Sequence, residues 1–397
     1  MPSSFLRIAL VLGLLQAIGP FAIDMYLPAL PTIGSSLAAS PHAVQASLMS
    51  FFLSLGVGQL VYGPASDMLG RKKPLYFGLA VFALGSVGCA LAPDIQTLVA
   101  WRFVQGLGAC AGMVVPRAVV RDLHTGAEAA RLMALLTLVF SVSPILAPLF
   151  GSFLIEWSGW RAVFWAVAVA ALLAMALLAG SLHETRHGEL RLQSSVASAL
   201  AGYWLLLRDA HFMGLVLIGG FGVSAFFAYL ANSSFVLIDH YGLTPRQYSI
   251  AFSANAASFI GMSQLTGRMI ARFGMVPLVR AGVAGFAVLM VLALLQNLAG
   301  VESMWPMLAL LFMGFGCLGL VMPSSAVLAL DAHGAIAGTA SALMGTLHFL
   351  IGAAVMGSVG LFVDGTARPM LAGIAASALL TWAITHFTLR DGPAFAK

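Results

Sequence analysis

Apolar runs broken by glycine, proline or charge recur along the whole chain and predict helices at approximately 5–30, 43–66, 75–92, 97–120, 130–156, 160–180, 210–238, 247–270, 277–297, 304–330, 336–363 and 368–388. Each is close to the roughly 20 residues that an α-helix needs to cross hydrocarbon. They fall as six and six about one sizeable polar interval, Leu182 to Arg208, which contains HETRHGELRLQ and reads as a linker. The expected organisation is an all-α membrane protein of twelve transmembrane helices: a six-helix bundle over 1–181, a cytoplasmic linker over 182–208 and a second bundle over 209–397. A faint internal repeat agrees with this division. Gly63 and Gly70 in GPASDMLG recur 204 residues later as Gly267 and Gly274 in GRMIARFG, each pair following the second helix of its half.

Composition narrows the class. The 397 residues are 60% hydrophobic and only 8% charged, with a mean hydropathy of +0.98, whereas about a quarter of the residues of a soluble protein are charged. A net charge of +5 raises the question of nucleic acid. With the N-terminus in the cytoplasm, however, all Lys and Arg except Arg102, Arg161, Arg246 and Arg368 fall on cytoplasmic ends and loops. That asymmetry is the positive-inside signature and expects both termini in the cytoplasm. The basic charge is thereby topological, and no nucleic-acid partner is needed to explain it. Cys89, Cys110 and Cys317 lie in apolar runs and read as small core residues. The N-terminal run lacks the short apolar core and cleavage site of a signal peptide, so it is expected to remain as the first helix.

One acid interrupts the first helix. Nothing between Arg7 and Asp24 is charged, and the next charge is Asp67. An ionised carboxylate in hydrocarbon costs roughly 2.5 to 3.5 kcal/mol even on lenient scales, so Asp24 is a candidate functional residue. It lies seven residues before Pro31, about 10 Å below the outer end, and Arg102 lies about 8 Å below the same surface on the fourth helix. Matched depth predicts a pair, either a structural lock or a proton-coupling site in which Asp24 exchanges a proton and Arg102 tunes it. The guanidinium itself stays charged.

The loop GPASDMLGRKK, residues 63–73, resembles the G-x-x-x-D-x-x-G-R-K loop motif of the major facilitator superfamily. WRFVQGLGAC, 101–110, resembles the family's helix 4 motif, with Arg102 as its embedded arginine and Gln105 and Gly106 at matching positions. SPILAPLFGS, 143–152, resembles the helix 5 antiporter motif G-P-x-x-G-G, with Ala147 and Ser152 replacing two of its glycines. AIDMYLPALP, PRAVVRDLH and AGTASALMG narrow the likeness to the bicyclomycin and chloramphenicol resistance branch of drug:proton antiporters. Met68 departs from the loop motif, where a basic residue usually follows the aspartate. Gln16, two turns before Asp24, is neutral where some multidrug relatives carry a second acid, which disfavours divalent cations and favours neutral or zwitterionic cargo.

The resemblance implies the two-bundle major facilitator fold and proton-coupled export of chloramphenicol-, florfenicol- or bicyclomycin-type drugs across a bacterial inner membrane by a monomer. No cofactor or metal is implied beyond the coupling proton. It also implies a central cavity, for which helical spacing offers Gln16, Phe21, Gln105 and Met113 in the first half. Tyr229, Asn232, Asn255 and His348 are polar groups within apolar runs of the second. Gly63, Asp67, Gly70 and Arg71 would form a cytoplasmic latch, and Pro144, Pro148 and Gly151 a packing seam in helix 5. Two rivals share the fold, a metabolite exporter and a proton-coupled nutrient symporter. A third is of another class: His183, Glu184 and His187 spell the H-E-x-x-H pattern of zinc proteases. No supporting active-site context accompanies it, and the linker reading is preferred.

Overall fold

The computed structural model describes residues 3–124, 126–186 and 195–389. These are almost entirely helical, with no strand among them. The first half contains α1 (Ser3–Asp24), α2 (Leu30–Ser36), α3 (Pro41–Leu69), α4 (Lys72–Leu91), α5 (Ile95–Leu123), α6 (Gly126–Ser158) and α7 (Arg161–Ser181). The remainder contains α8 (Val196–Arg208), α9 (Ala210–Ser234), α10 (Pro245–Phe273), α11 (Met275–Leu298), α12 (Met304–Asp331), α13 (Ala337–Gly360) and α14 (Arg368–Thr388). Among the described residues, eleven segments are long and apolar enough to cross a membrane, one of them running through α1 and α2 from Ile8 to Ser36. The long helix outside that set is α10, whose stretch carries Ser249, Ser253, Asn255, Ser258, Gln264 and Thr266.

Two features differ from the sequence expectation. The first helix was expected to run from 5 to 30, yet α1 ends at Asp24 and a short 3-10 turn, Leu27–Ala29, leads into α2. The cause is Pro28: it has no N–H to offer the carbonyl of Asp24, so the α-helical ladder stops there. Asp24 therefore sits at a helix end. The interval read as a linker also contains a helix, α8, because its polar residues are concentrated before Ser195 while VASALAGYWLLLR is apolar. Leu206 of α8 is buried and Gly202 packs against Thr339.

Several helix starts follow directly from capping chemistry. Ser40 Oγ accepts the N–H of Ala43 at the start of α3, with Pro41 at the first helical position. Asp94 accepts from the N–H of Thr97 at 2.8 Å to start α5. Gly70 and Gly274 end α3 and α10 with φ of 89° and 82°, a backbone region open to glycine. These are the glycines singled out as an internal repeat.

Asp209 caps α9 by accepting the N–H groups of His211 and Phe212 at 2.9 and 3.0 Å, and it meets His333 Nε2 at 3.1 Å. The Phe212 N–H is the main influence holding its carboxyl below the ordinary range, opposed by partial burial and aided by the His211 N–H and the two histidines. Asp209→Ala should destabilise the protein by about 1 kcal/mol at neutral pH. A depressed carboxyl contributes fully above its unfolded value, so the gap between mutant and wild type should close as pH falls below about 4. Thermal unfolding of the purified protein at pH 7 and in acid checks both statements.

The described residues form two compact units, Met1–Ala201 with Ala231–Ser253 and Gly202–Leu230 with Ala254–Lys397. In the first, glycines let helix backbones touch. A side chain at Gly106 of α5 would meet the carbonyl of Phe51 on α3, and one at Gly85 of α4 would meet the backbone of Gln105. Gly106→Ala is accordingly expected to lower stability by about 1 to 3 kcal/mol, read as a fall in the melting temperature of the detergent-purified protein. In the second unit, the side chain of Arg280 on α11 donates to the carbonyl of Leu389 after α14.

Candidate functional site

Asp24 is the only carboxylate among the buried polar residues described, at 4% exposure. Ser143 Oγ of α6 donates to its Oδ2 at 3.2 Å. The approach of α6 depends on Gly151, where any side chain would run into the backbone of Met25. One end of the predicted helix 5 seam thus serves the acid directly.

Arg102 of α5 is fully buried. Its Nη1 donates to the carbonyl of Ala22 at 3.3 Å and to Gln105 Oε1 at 2.6 Å. The guanidinium carbon lies 4.5 Å from the Tyr26 ring centre and 4.2 Å from that of Phe51, contacts that attract a cation through the ring faces. Nε and Nη2 have no hydrogen-bond partner. Gln105 in turn donates to Ser86 Oγ at 2.8 Å.

The expected Asp24–Arg102 ion pair is absent among the described residues. Helix geometry supplies the reason. Residues 22 and 24 are about 200° apart around a helix, so the Ala22 carbonyl reaches α5 while Asp24 reaches α6. The side of α1 that faces α5 carries Leu15, whose carbonyl abuts Gly112, and Gly19, which abuts Met113. Both charges are buried in one unit, but each has its own partners.

The predicted cavity residues divide between the units. In the first, Gln16 is fully buried and neither amide atom has a partner. Phe21 is half-buried and Met113 is buried. Asn232 also belongs to this unit, accepting from Gln45 Nε2 at 2.9 Å. In the second, Asn255 Nδ2 donates to the Tyr229 hydroxyl at 2.8 Å. Around Tyr229, Phe226 stacks on Phe259 at 6.0 Å and both Phe226 and Tyr229 meet Phe315. His348 Nε2 lies 3.1 Å from the carbonyl of Val216, which requires the ring proton on Nε2. A side chain at Gly219 would occupy the space of this imidazole.

The predicted latch is a charge cluster centred on Arg71, a nearly fully buried residue. Its Nη1 meets Asp67 at 2.7 Å, and its Nε and Nη2 form a fork on Asp122 at 2.7 and 3.2 Å. Burial alone would lower the guanidinium, but the hydrogen bonds and charges of Asp122 and Asp67 raise it above its ordinary value. Gly70 makes the turn, whereas Gly63 faces open space, so close approach is not its role in this structure.

Glu184 completes the cluster. Its carboxylate accepts the backbone N–H groups of Arg71 at 2.8 Å and Lys72 at 3.2 Å, supplying the cap that α4 lacks from its own N-terminal residues. Arg186 Nε donates to the carbonyl of Asp67. In the H-E-x-x-H pattern the glutamate therefore caps a helix. His187 lies outside the described residues, and no group of three or more potential metal ligands occurs among those described.

At the seam, Ser249 and Ser253 of α10 donate to the carbonyls of Pro148 and Ile145 at 2.9 and 2.8 Å. Sequence reasoning missed these serines along with Ser143, Gln45 and Asp122, and it named Glu184 only within the H-E-x-x-H pattern, not as a cap. Asp122 carried a signal, standing within PRAVVRDLH. Ser143 likewise opens SPILAPLFGS, whereas Gln45, Ser249 and Ser253 pair with residues remote in the chain and had no signal.

Comparison with known proteins places these features. The family profile described as Major Facilitator Superfamily matches residues 12–357. The "Uncharacterized MFS-type transporter YdgK" of Bacillus subtilis is 38% identical over 368 residues, 92% of this chain and 91% of the relative. The "Bicyclomycin resistance protein homolog" of Haemophilus influenzae is 32% identical over 398 residues, covering 97% and 96%. Among solved structures, a D-xylose-proton symporter superposes with a TM-score of 0.74 at 17% identity, covering 96% of this chain and 98% of that one.

Proposed function

Because the chain belongs to the major facilitator superfamily and is a multi-pass membrane transporter, we propose that it is a proton-coupled multidrug efflux antiporter of the bacterial inner membrane, with both termini cytoplasmic. The observation that carries this reading is the lone buried carboxylate, Asp24, at a helix end and held by one hydroxyl. A group so placed exchanges a proton when its solvent access changes sides, and Arg102 supplies a fixed positive charge in the same bundle. The likeness to a bicyclomycin resistance protein homolog supports a drug as cargo.

In this reading the six-helix halves, 1–181 and 209–397, alternate the side to which the cavity opens about the linker 182–208. Gln16, Phe21, Gln105, Met113, Tyr229, Asn232, Asn255 and His348 contact the drug. Gly63, Asp67, Gly70 and Arg71 latch the cytoplasmic side, while Pro144, Pro148 and Gly151 pack the outward-closed state. Accumulation of bicyclomycin and chloramphenicol in expressing cells is the test. Accumulation should fall below that of empty-vector cells and return to it on adding a proton uncoupler. Accumulation that rises with expression would establish import instead.

A further inference from the structure

Arg117 of α5 lies six residues before the helix ends, about 9 Å inside, within the apolar span Ile95–Leu123. It is exposed at the protein surface, whereas Val115, Pro116, Ala118, Val119 and Val120 around it are buried. It makes no hydrogen bond or ion pair among the described residues. Arg121, one turn on, carries a charge of the same sign. The adjacent acid, Asp122, is committed to Arg71 and Thr185.

A cation near a span end often serves topology alone, reaching out to headgroups. Arg121, at the last turn of α5, fits that role. Arg117 does not, because of the face it occupies. Arg102, Ala109, Met113 and Arg117 follow at intervals that keep them on one side of the helix, and Met113 on that side packs against Gly19 of α1. An uncompensated guanidinium here is a fixed positive charge on an inward face, with its whole donor fork free.

We propose that Arg117 is a specificity-determining residue that receives an acidic group, carboxylate or sulfonate, of an amphiphilic cargo and excludes organic cations. This rests on reading the inward face of α5 as a transport surface, but not on proton coupling. A fork of charge-assisted hydrogen bonds would hold the anion, and its loss should cost on the order of tenfold in affinity.

The test uses two dyes of one skeleton, anionic 1-anilinonaphthalene-8-sulfonate and neutral N-phenyl-1-naphthylamine, bound to the full-length protein in nanodiscs with protein-free discs subtracted. Arg117→Gln should weaken sulfonate binding about tenfold and leave the neutral dye unchanged. Arg117→Lys should recover part of the loss. Equal weakening of both dyes, unchanged sulfonate affinity, or no saturable sulfonate binding to the wild type would each overturn the proposal. Asp24→Asn should keep the sulfonate preference, so a protein that discriminates the dyes but fails the drug-accumulation test would sink the antiport reading alone.

Discussion

Asp24→Asn is expected to abolish uphill drug export while leaving the protein folded and able to bind its cargo. The substitution is nearly isosteric, and the amide oxygen can still accept the hydrogen bond from Ser143. What disappears is the exchangeable proton. No other buried carboxylate exists among the described residues to take over, and Arg102 stays charged. Inverted vesicles loaded with a pH gradient provide the measurement. Wild type should accumulate drug and dissipate the gradient, whereas the variant should do neither yet still exchange labelled for unlabelled drug downhill. Undiminished gradient-driven uptake would remove Asp24 from the coupling role. Asp24→Glu retains the proton but adds a methylene beside the tight Met25–Gly151 contact, so partial coupling is expected.

Arg71→Ala should be the most damaging substitution outside the membrane core. The side chain bridges Asp67, Asp122 and Ser66, and its removal strands the Asp122 carboxylate, whose side chain is only 14% exposed, without a counter-charge. Breaking such a pair from one side costs about 3 kcal/mol. Because Asp67 is 41% exposed and relaxes into water, most of that loss belongs to Asp122. Lysine preserves the charge but not the fork, so Arg71→Lys should fall between. Its guanidinium is raised above an already high ordinary value. A raised base contributes fully below its unfolded value, so the stabilisation should be constant across every pH at which the protein is handled. Melting temperatures of the three proteins, measured at pH 6 and pH 9, test the ranking and its constancy.

Much of this was legible in the chain because a bilayer imposes simple rules. Twelve apolar runs and the position of Asp24 required only hydropathy and the cost of buried charge. The absence of an Asp24–Arg102 pair was not legible, since matched depth says nothing about direction around the helix, and Pro28 places Asp24 at a terminus where that direction matters. The helix α8 was hidden by averaging a polar stretch with the apolar one that follows. The bonds from Ser249 and Ser253 to α6 were illegible for another reason: carbonyl acceptors leave no mark on residue identity.

The hold of Glu184 on the Arg71 and Lys72 backbone has a consequence for evolutionary drift. A carboxylate that grips amide protons is indifferent to which side chains those amides carry. Across relatives, the flanking His183 and His187 should vary freely around an acidic residue at position 184. That glutamate should disappear only where the start of α4 acquires a Ser, Thr or Asp able to cap itself.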